Sequence, residues 1–221
     1  MDLKNVKAVL FDHDGTLVDS ELVHYQIWLE TTGLSPELFT EEMNTLHCVG
    51  IPADVNAAYI IEQFGLDWEP QQLIAQKREN TQQYLKNHCF PAMPGANRIM
   101  KNFASLGIRM AIVSGSERFA IERSVSGNNF TQYIEYITTG EEVPSNKPAP
   151  DVYLKALQKM NLSASDCIAI EDTEHGVNAA VAAGIPCVAI PNPHSRAQNF
   201  TEADVQCQSL SAFYTYFIEN R

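Results

Sequence analysis

Two acids stand two positions apart in the stretch FDHDGTLVDS, residues 11–20, where the apolar run Ala8-Val9-Leu10-Phe11 stops against Asp12 and is followed by Asp14, Gly15 and Thr16. A carboxylate at the end of a buried strand costs free energy unless a partner compensates it. Other chemistry-bearing residues follow apolar runs in the same way: Ser114 and Ser116 after residues 108–113, and Glu171 and Asp172 after residues 167–170. Lys147 stands in the Pro-rich loop EVPSNKPAP. Four converging carboxylates repel one another by roughly 4 kcal/mol per pair at ~4 Å and an effective dielectric of ~20. A divalent cation relieves this repulsion, and hard oxygen ligands suit Mg²⁺, which combines one or two carboxylates with a substrate phosphate. The expected metal set is Asp12, Asp14, Glu171 and Asp172. Lys147 supplies positive charge for phosphoryl oxygens, and Ser114, read as lying at a helix N-terminus, adds a hydroxyl and nearby N–H groups. This inventory is adequate for phosphoryl transfer, which is mainly positioning and charge stabilisation. Asp12 can attack to form an aspartyl phosphate. Asp14 can protonate the leaving oxygen and then activate water.

The elements that must position these groups follow from the hydrophobic pattern. A strand is predicted over residues 6–12. Residues 20–88 then carry helical signals without a strand, with helices over 20–31, from Ser35-Pro36-Glu37 towards His47, over 52–64 and over 70–87. From Pro91 and Pro94-Gly95 onward, strands (108–113, 133–138, 167–170, 185–190) alternate with helices (96–106, 117–125, 151–160, 176–183, 209–219). Short apolar strands alternating with helices imply a Rossmann-like, doubly wound parallel sheet, and its ligands sit beyond the carboxyl ends of the strands. The expected organisation is an α/β core over residues 1–18 and 91–221. An all-α cap domain, residues 19–90, is inserted after the first strand and hangs over the same edge as a lid.

Bulk properties exclude several classes. With 221 residues and a net charge of −12, the chain is a poor general nucleic-acid binder or partner of anionic membranes. No stretch approaches the ~18 apolar residues of a membrane span, and the run after Lys4 and Lys7 is too short for a signal peptide. Five scattered cysteines without a Cys-x-x-Cys pair predict free thiols in a reducing cytoplasm and argue against a cysteine nucleophile or a zinc site. A monomer is expected at this size.

The sequence resembles the haloacid dehalogenase superfamily, within it the phosphatases and phosphomutases with a helical cap. DHDGT is similar to that superfamily's first motif, AIVSGS to its second, NKPAPDVY to its third and AIEDTEHGVNAA to its fourth, in order along nearly the whole chain. The resemblance implies Asp12 as nucleophile, Asp14 as acid/base with a backbone carbonyl on Mg²⁺, and Ser114 and Lys147 as phosphoryl clamps. It also implies Asp172 as a direct metal ligand and Glu171 as a second ligand or one acting through water. Gly15 is expected to allow close backbone approach, with its N–H facing the phosphoryl group, and Ser116 to cap a helix or touch phosphate. DSELVHYQIW is similar to the stretch leading into the cap of beta-phosphoglucomutase and related sugar-phosphate phosphatases, which implies that His24 positions the acid/base. That mutase's Lys-Gly-Val-Ser-Arg pattern reads His47-Cys48-Val49-Gly50-Ile51 here. His47, Lys77 and Arg78 are the remaining cap residues expected to meet substrate, whereas His13 is read as the variable residue between the acids. The leading expectation is Mg²⁺-dependent hydrolysis of a small phosphorylated metabolite. The alternatives are a phosphomutase and a non-enzymatic phospho-acceptor of the receiver type.

Overall fold

The computed structural model describes residues 3–221. Six parallel strands, β1 (Ala8–Phe11), β2 (Arg109–Ser114), β3 (Tyr136–Thr139), β4 (Cys167–Glu171), β5 (Cys187–Ala189) and β6 (Val205–Gln206), form one sheet. Its order is β3-β2-β1-β4-β5-β6, with Phe11 in register with Ile112 on one side and Ile170 on the other. β1 is therefore central, and the strand-end acids of β1 and β4 are neighbours.

Strand alternation sorts the core into two layers. Val9, Phe11, Met110, Ile112, Ile168 and Ile170 face one side, under α5 (Ala96–Ser105), α6 (Arg118–Gly127) and α9 (Leu210–Asn220). Phe103 of α5 packs edge-on against Phe217 of α9, ring centres 5.0 Å apart. Ala8, Leu10, Ala111, Val113 and Ala169 face the other side, under α7 (Asp151–Met160) and α8 (Glu174–Ala182). The small residues on that face let Ala179 and Ala180 of α8 approach closely.

Between β1 and α5 the chain leaves the sheet and builds an inserted helical cap of α1 (Glu21–Thr32), α2 (Glu41–His47), α3 (Ala53–Phe64) and α4 (Pro70–Asn87). It has its own apolar centre, including Tyr25, Trp28, Phe39, Ile60 and Leu73. The outgoing and returning chains run side by side, joined by Met93 N–H to Leu17 O (2.9 Å) and Asp19 N–H to Pro91 O (2.8 Å). No helix among the described residues is long and apolar enough to cross a membrane.

Four elements differ from expectation, the first being β3, which starts at Tyr136 and not at residue 133, because the Tyr133 N–H closes a turn on Phe130 O (2.8 Å). Residues 35–39 form a turn in place of a helix start at Pro36, because both Leu38 N–H and Phe39 N–H bond to Ser35 O and swing Phe39 into the cap core. α2 starts only at Glu41, where the Thr40 hydroxyl accepts from Met43 N–H at 3.2 Å. α8 starts earlier than residue 176, capped by Thr173 on Gly176 N–H. The two-residue β6, paired to β5 at Val188, is too short to leave a periodic signal.

Candidate active site

Asp12, Ser114 and Glu171-Asp172 emerge side by side from β1, β2 and β4, and all but Glu171 line a cavity of about 250 Å³ between sheet edge and cap. Lys147 reaches in from the loop before α7. Its ammonium donates to Asp12 Oδ1 (2.6 Å), Glu171 Oε1 (2.6 Å) and Val113 O (2.9 Å). One cation thus serves two buried acids. Their charge raises the Lys147 pKa against the opposing effect of burial.

Asp172 has only neutral partners: the Thr16 hydroxyl at 3.2 Å and Asn192 Nδ2 at 2.7 Å. Glu171 Oε1 also accepts from the Tyr153 hydroxyl at 2.5 Å, while its Oε2 is buried without a partner. Oxygens of Asp12, Glu171 and Asp172 lie within 4.8 Å of one another. Burial and the charge of neighbouring acids raise all three carboxyl pKa values, Glu171 to about 7 and Asp172 well above the usual range, opposed mainly by Lys147 and, more weakly, by His13 at Asp12 and the Tyr153 hydroxyl at Glu171. A buried three-acid cluster short of positive charge is what a hard divalent cation would satisfy, so the donor set fits Mg²⁺. The Asp14 carboxylate lies outside this cluster.

Asp14 has a different setting. Its Oδ1 accepts from the Ser20 hydroxyl and its Oδ2 from the Ser116 hydroxyl, each at 2.6 Å. His13 Nδ1 stands 3.2 Å from Oδ2, and His24 Nε2 3.6 Å from Oδ1. Burial pushes the Asp14 carboxyl up, but the two imidazoles outweigh it and hold the group well below the carboxylate range. His24 is itself shifted down by burial and by Lys77, whose ammonium is 3.4 Å from His24 Nδ1 and 5.3 Å above the Trp28 ring. Two acids two residues apart therefore occupy contrasting sites, one beside a lysine and further acids, the other among hydroxyls and imidazoles.

Several sequence expectations change. The Gly15 N–H does not face the cavity; it donates to Val18 O at 2.8 Å. Gly15 is required for a different reason: at φ +75° a Cβ would meet the Asp172 carboxylate and come within 2.6 Å of Asn192 Nδ2. Ser114 ends β2, and α6 begins only at Arg118, so Ser114 is not at a helix N-terminus; its Oγ accepts from Ser116 N–H at 3.0 Å. The Ser116 hydroxyl is directed to Asp14. His47 stacks on Tyr59 with ring centres 4.6 Å apart and is absent from the cavity lining. Arg78 lines the cavity but is paired with Glu117 (3.1 Å) and Glu141 (3.2 Å). Lys77 and His24 lie where a cap residue can act on Asp14.

Thr16, Ser20, Glu21, Tyr153, Gly176 and Asn192 were not singled out from sequence. Asn192 follows β5, so the rule that ligands gather past strand ends points to it; Thr16, Tyr153 and Gly176 stand within DHDGT, NKPAPDVY and AIEDTEHGVNAA, whereas residue type and spacing do not mark Ser20 or Glu21. Gly176 lies against Glu171, where a Cβ would overlap the carboxylate. Glu21, at the start of α1, faces the cavity with its pKa pushed up to about 8 by burial and by Asp14. His13 is fully buried, and its contact with Asp14 gives it more than a spacer's position. All five cysteines are free, and burial pushes the Cys48 thiol in the cavity wall up to about 12, which leaves it inert.

Known proteins share this chain's sequence pattern and fold. Residues 9–190 match the model of the haloacid dehalogenase-like hydrolases. Protein CbbY of Rhodobacter capsulatus is 31% identical over 223 residues, covering 96% of this chain and 97% of its own. The fructose-1-phosphate phosphatase YqaB of Escherichia coli K12 is 31% identical over 183 residues, covering 82% of this chain and 94% of its own. In fold, the chain is similar to a CbbY mutant from Rhodobacter sphaeroides crystallised with xylulose-(1,5)bisphosphate, with a TM-score of 0.79, 22% identity and coverage of 93% and 95% of the two chains. The chain belongs to the haloacid dehalogenase-like hydrolase family and is an enzyme of that family.

Proposed function

We propose that this enzyme hydrolyses a small phosphomonoester, a sugar phosphate or similar metabolite, through an aspartyl-phosphate intermediate with Mg²⁺. The observation that carries the reading is the contrast between the two acids of DHDGT. Asp12 stands beside Lys147 at the metal-type cluster, and Asp14 faces the same cavity in a hydrogen-bonded frame that suits proton transfer.

Asp12, Glu171 and Asp172 would hold the ion, which supplies charge neutralisation for the nucleophile and the phosphoryl group. Lys147 orients the Asp12 carboxylate and presents positive charge, and Ser114 offers its hydroxyl to a phosphoryl oxygen. An Asp12 oxygen attacks phosphorus, the ester P–O bond breaks, and the leaving oxygen takes the proton held by Asp14. An incoming dianion favours the protonated form of Asp14, against the histidines that otherwise keep it ionised. Asp14, ionised again, then accepts a proton from water; that oxygen attacks phosphorus, the Asp12–phosphorus bond breaks, and inorganic phosphate departs.

Core residues 1–18 and 91–221 supply the nucleophile, and cap residues 19–90 close over it. The separate apolar centres of sheet and cap support that division. The enzyme is read as a cytoplasmic monomer, with all these groups supplied by one chain. A phosphomutase must also hold a bisphosphate intermediate, and the cap stretch at Gly50 and Ile51 offers the cavity no cation for it. Phosphate release from a panel of phosphorylated metabolites tests the proposal. Asp12→Asn is expected to abolish release, and EDTA to do so reversibly with Mg²⁺. Near-native release by the Asp12→Asn protein would remove the nucleophile from the scheme.

A further inference from the structure

Three cations line the cavity among the described residues: Lys147, Lys77 and Arg78. Lys147 is engaged with Asp12 and Glu171 at the phosphoryl end. Lys77 leans on His24 and Trp28, with Asp14, Glu21 and Glu117 as its charged neighbours. Arg78 is half-exposed and belongs to α4 of the cap, yet its partners come from the core. Glu117 takes its Nε at 3.1 Å and Glu141 its Nη2 at 3.2 Å. The Glu141 carboxylate is itself fixed, because its Oε2 accepts from Arg118 N–H at 2.8 Å. The guanidinium is thus bracketed by two carboxylates that stand ready before any ligand arrives. A second phosphate on a substrate would have to displace one of them and approach the other.

We infer that Glu117 and Glu141 are specificity determinants: by holding Arg78 they withhold the cap's guanidinium from a second anionic group, while Lys77, beside His24, serves the Asp14 end of the cavity. The enzyme therefore takes substrates whose only strongly anionic group is the scissile phosphate and discriminates against bisphosphates. This rests on the phosphatase reading above and narrows its substrate class to monophosphates with an uncharged leaving group. It separates this chain from the structural relative crystallised with a bisphosphate.

The experiment measures kcat/KM for matched pairs, fructose 1-phosphate against fructose 1,6-bisphosphate and ribulose 5-phosphate against ribulose 1,5-bisphosphate, in wild type, E117Q/E141Q and R78Q. Wild type is expected to prefer the monophosphates. A released guanidinium forms a charge-assisted bond to phosphate, so the bisphosphate-to-monophosphate ratio should rise about tenfold or more in E117Q/E141Q, through KM. It should not rise in R78Q, which lacks the cation. A merely structural clasp between cap and core would lower turnover of both substrates alike in both variants and leave the ratio unmoved, which overturns the inference. So does a wild type that uses both classes equally, or an equal rise in R78Q. The same comparison is made by calorimetric binding in the Asp12→Asn background with Mg²⁺ present. Absence of phosphate release from every compound would sink the phosphatase reading, while the binding ratio would still decide the role of the two glutamates.

Discussion

Replacing Gly15 by alanine tests whether the backbone beside the nucleophile is shaped by Asp172. Gly15 has φ +75°, where an L-residue costs about 1–2 kcal/mol. The added Cβ would also come within 2.8 Å of Asp172 Cγ, against the ~3.5–4.0 Å of an ordinary carbon–carbon contact, so the carboxylate must retreat by about 1 Å. A misplacement of that size in catalytic geometry costs on the order of 10²-fold in rate. Gly33, at the C-terminus of α1, provides the control. Its φ is +71°, but nothing lies within 4 Å of a Cβ there. Urea denaturation in EDTA should show Gly33→Ala losing about 1–2 kcal/mol from backbone strain alone, and Gly15→Ala losing more. Phosphate release should be near wild type in Gly33→Ala and down about 10²-fold in Gly15→Ala, with a higher Mg²⁺ requirement. Equal stability losses and equal activities in the two variants would refute the close-approach argument. Lost activity with an unchanged Mg²⁺ requirement would shift the explanation from Asp172 to the turn that Gly15 closes on Val18.

Lys147→Met strips two buried acids of their shared cation and should cost about 3–5 kcal/mol near neutral pH in EDTA, less in Mg²⁺, by urea denaturation; an undiminished stability would contradict the bridging role. Glu21 has its pKa pushed up to about 8 in the folded protein, from an ordinary value of 4.5. The folded state therefore binds this proton more tightly, and its contribution to stability is complete below the ordinary pKa and lost as pH rises through the folded value. Glu21→Gln should remove that loss, so wild type should fall more steeply than the variant between about pH 5 and pH 9 in chelator. Identical slopes would show that Glu21 is better solvated than its position in the cavity wall implies.

The parallel sheet, the inserted cap and the convergence of Asp12, Ser114, Lys147, Glu171 and Asp172 were legible in the sequence for one physical reason. Buried strands write themselves as short apolar runs, and the polar residues that terminate them mark the ligand edge. The hydrogen-bond partners of those residues were not legible. Gly15 N–H goes to Val18 because the chain turns sharply there, and no periodicity records such a turn. Thr16 and Asn192 converge on Asp172 from positions 176 residues apart, which only the closed topology of the sheet brings together. His47 shows the opposite failure. Its residue type matched a cap position that meets substrate, but Tyr59, one helix away, captures the ring. Side chains on the cap answer to their helix neighbours first, so cap specificity is read less well than core chemistry.

The surroundings of the two acids also explain why the cap is inserted where it is. The partners of Asp12 are Lys147 and its neighbours, all belonging to the core. The partners of Asp14 come from both sides. Ser116 and His13 belong to the core, whereas Ser20 and His24 lie where the chain turns into α1, and Lys77 reaches His24 from α4. Moving the cap would leave the nucleophile's setting intact and remove Ser20, His24 and Lys77 from the acid/base frame. Insertion directly after β1 places the paired linkers three residues beyond Asp14, so that in the proposed mechanism closure over a substrate would act directly on the proton-transfer site. The coupling requires no long-range pathway, because the moving element and the group it completes are joined through the five residues from Asp14 to Val18 and the paired linkers at Leu17 and Met93. On the proposed mechanism, a substrate that does not permit closure meets an Asp14 stripped of the Ser20, His24 and Lys77 surroundings that set its protonation, so discrimination by the cap is expected in turnover as well as in binding.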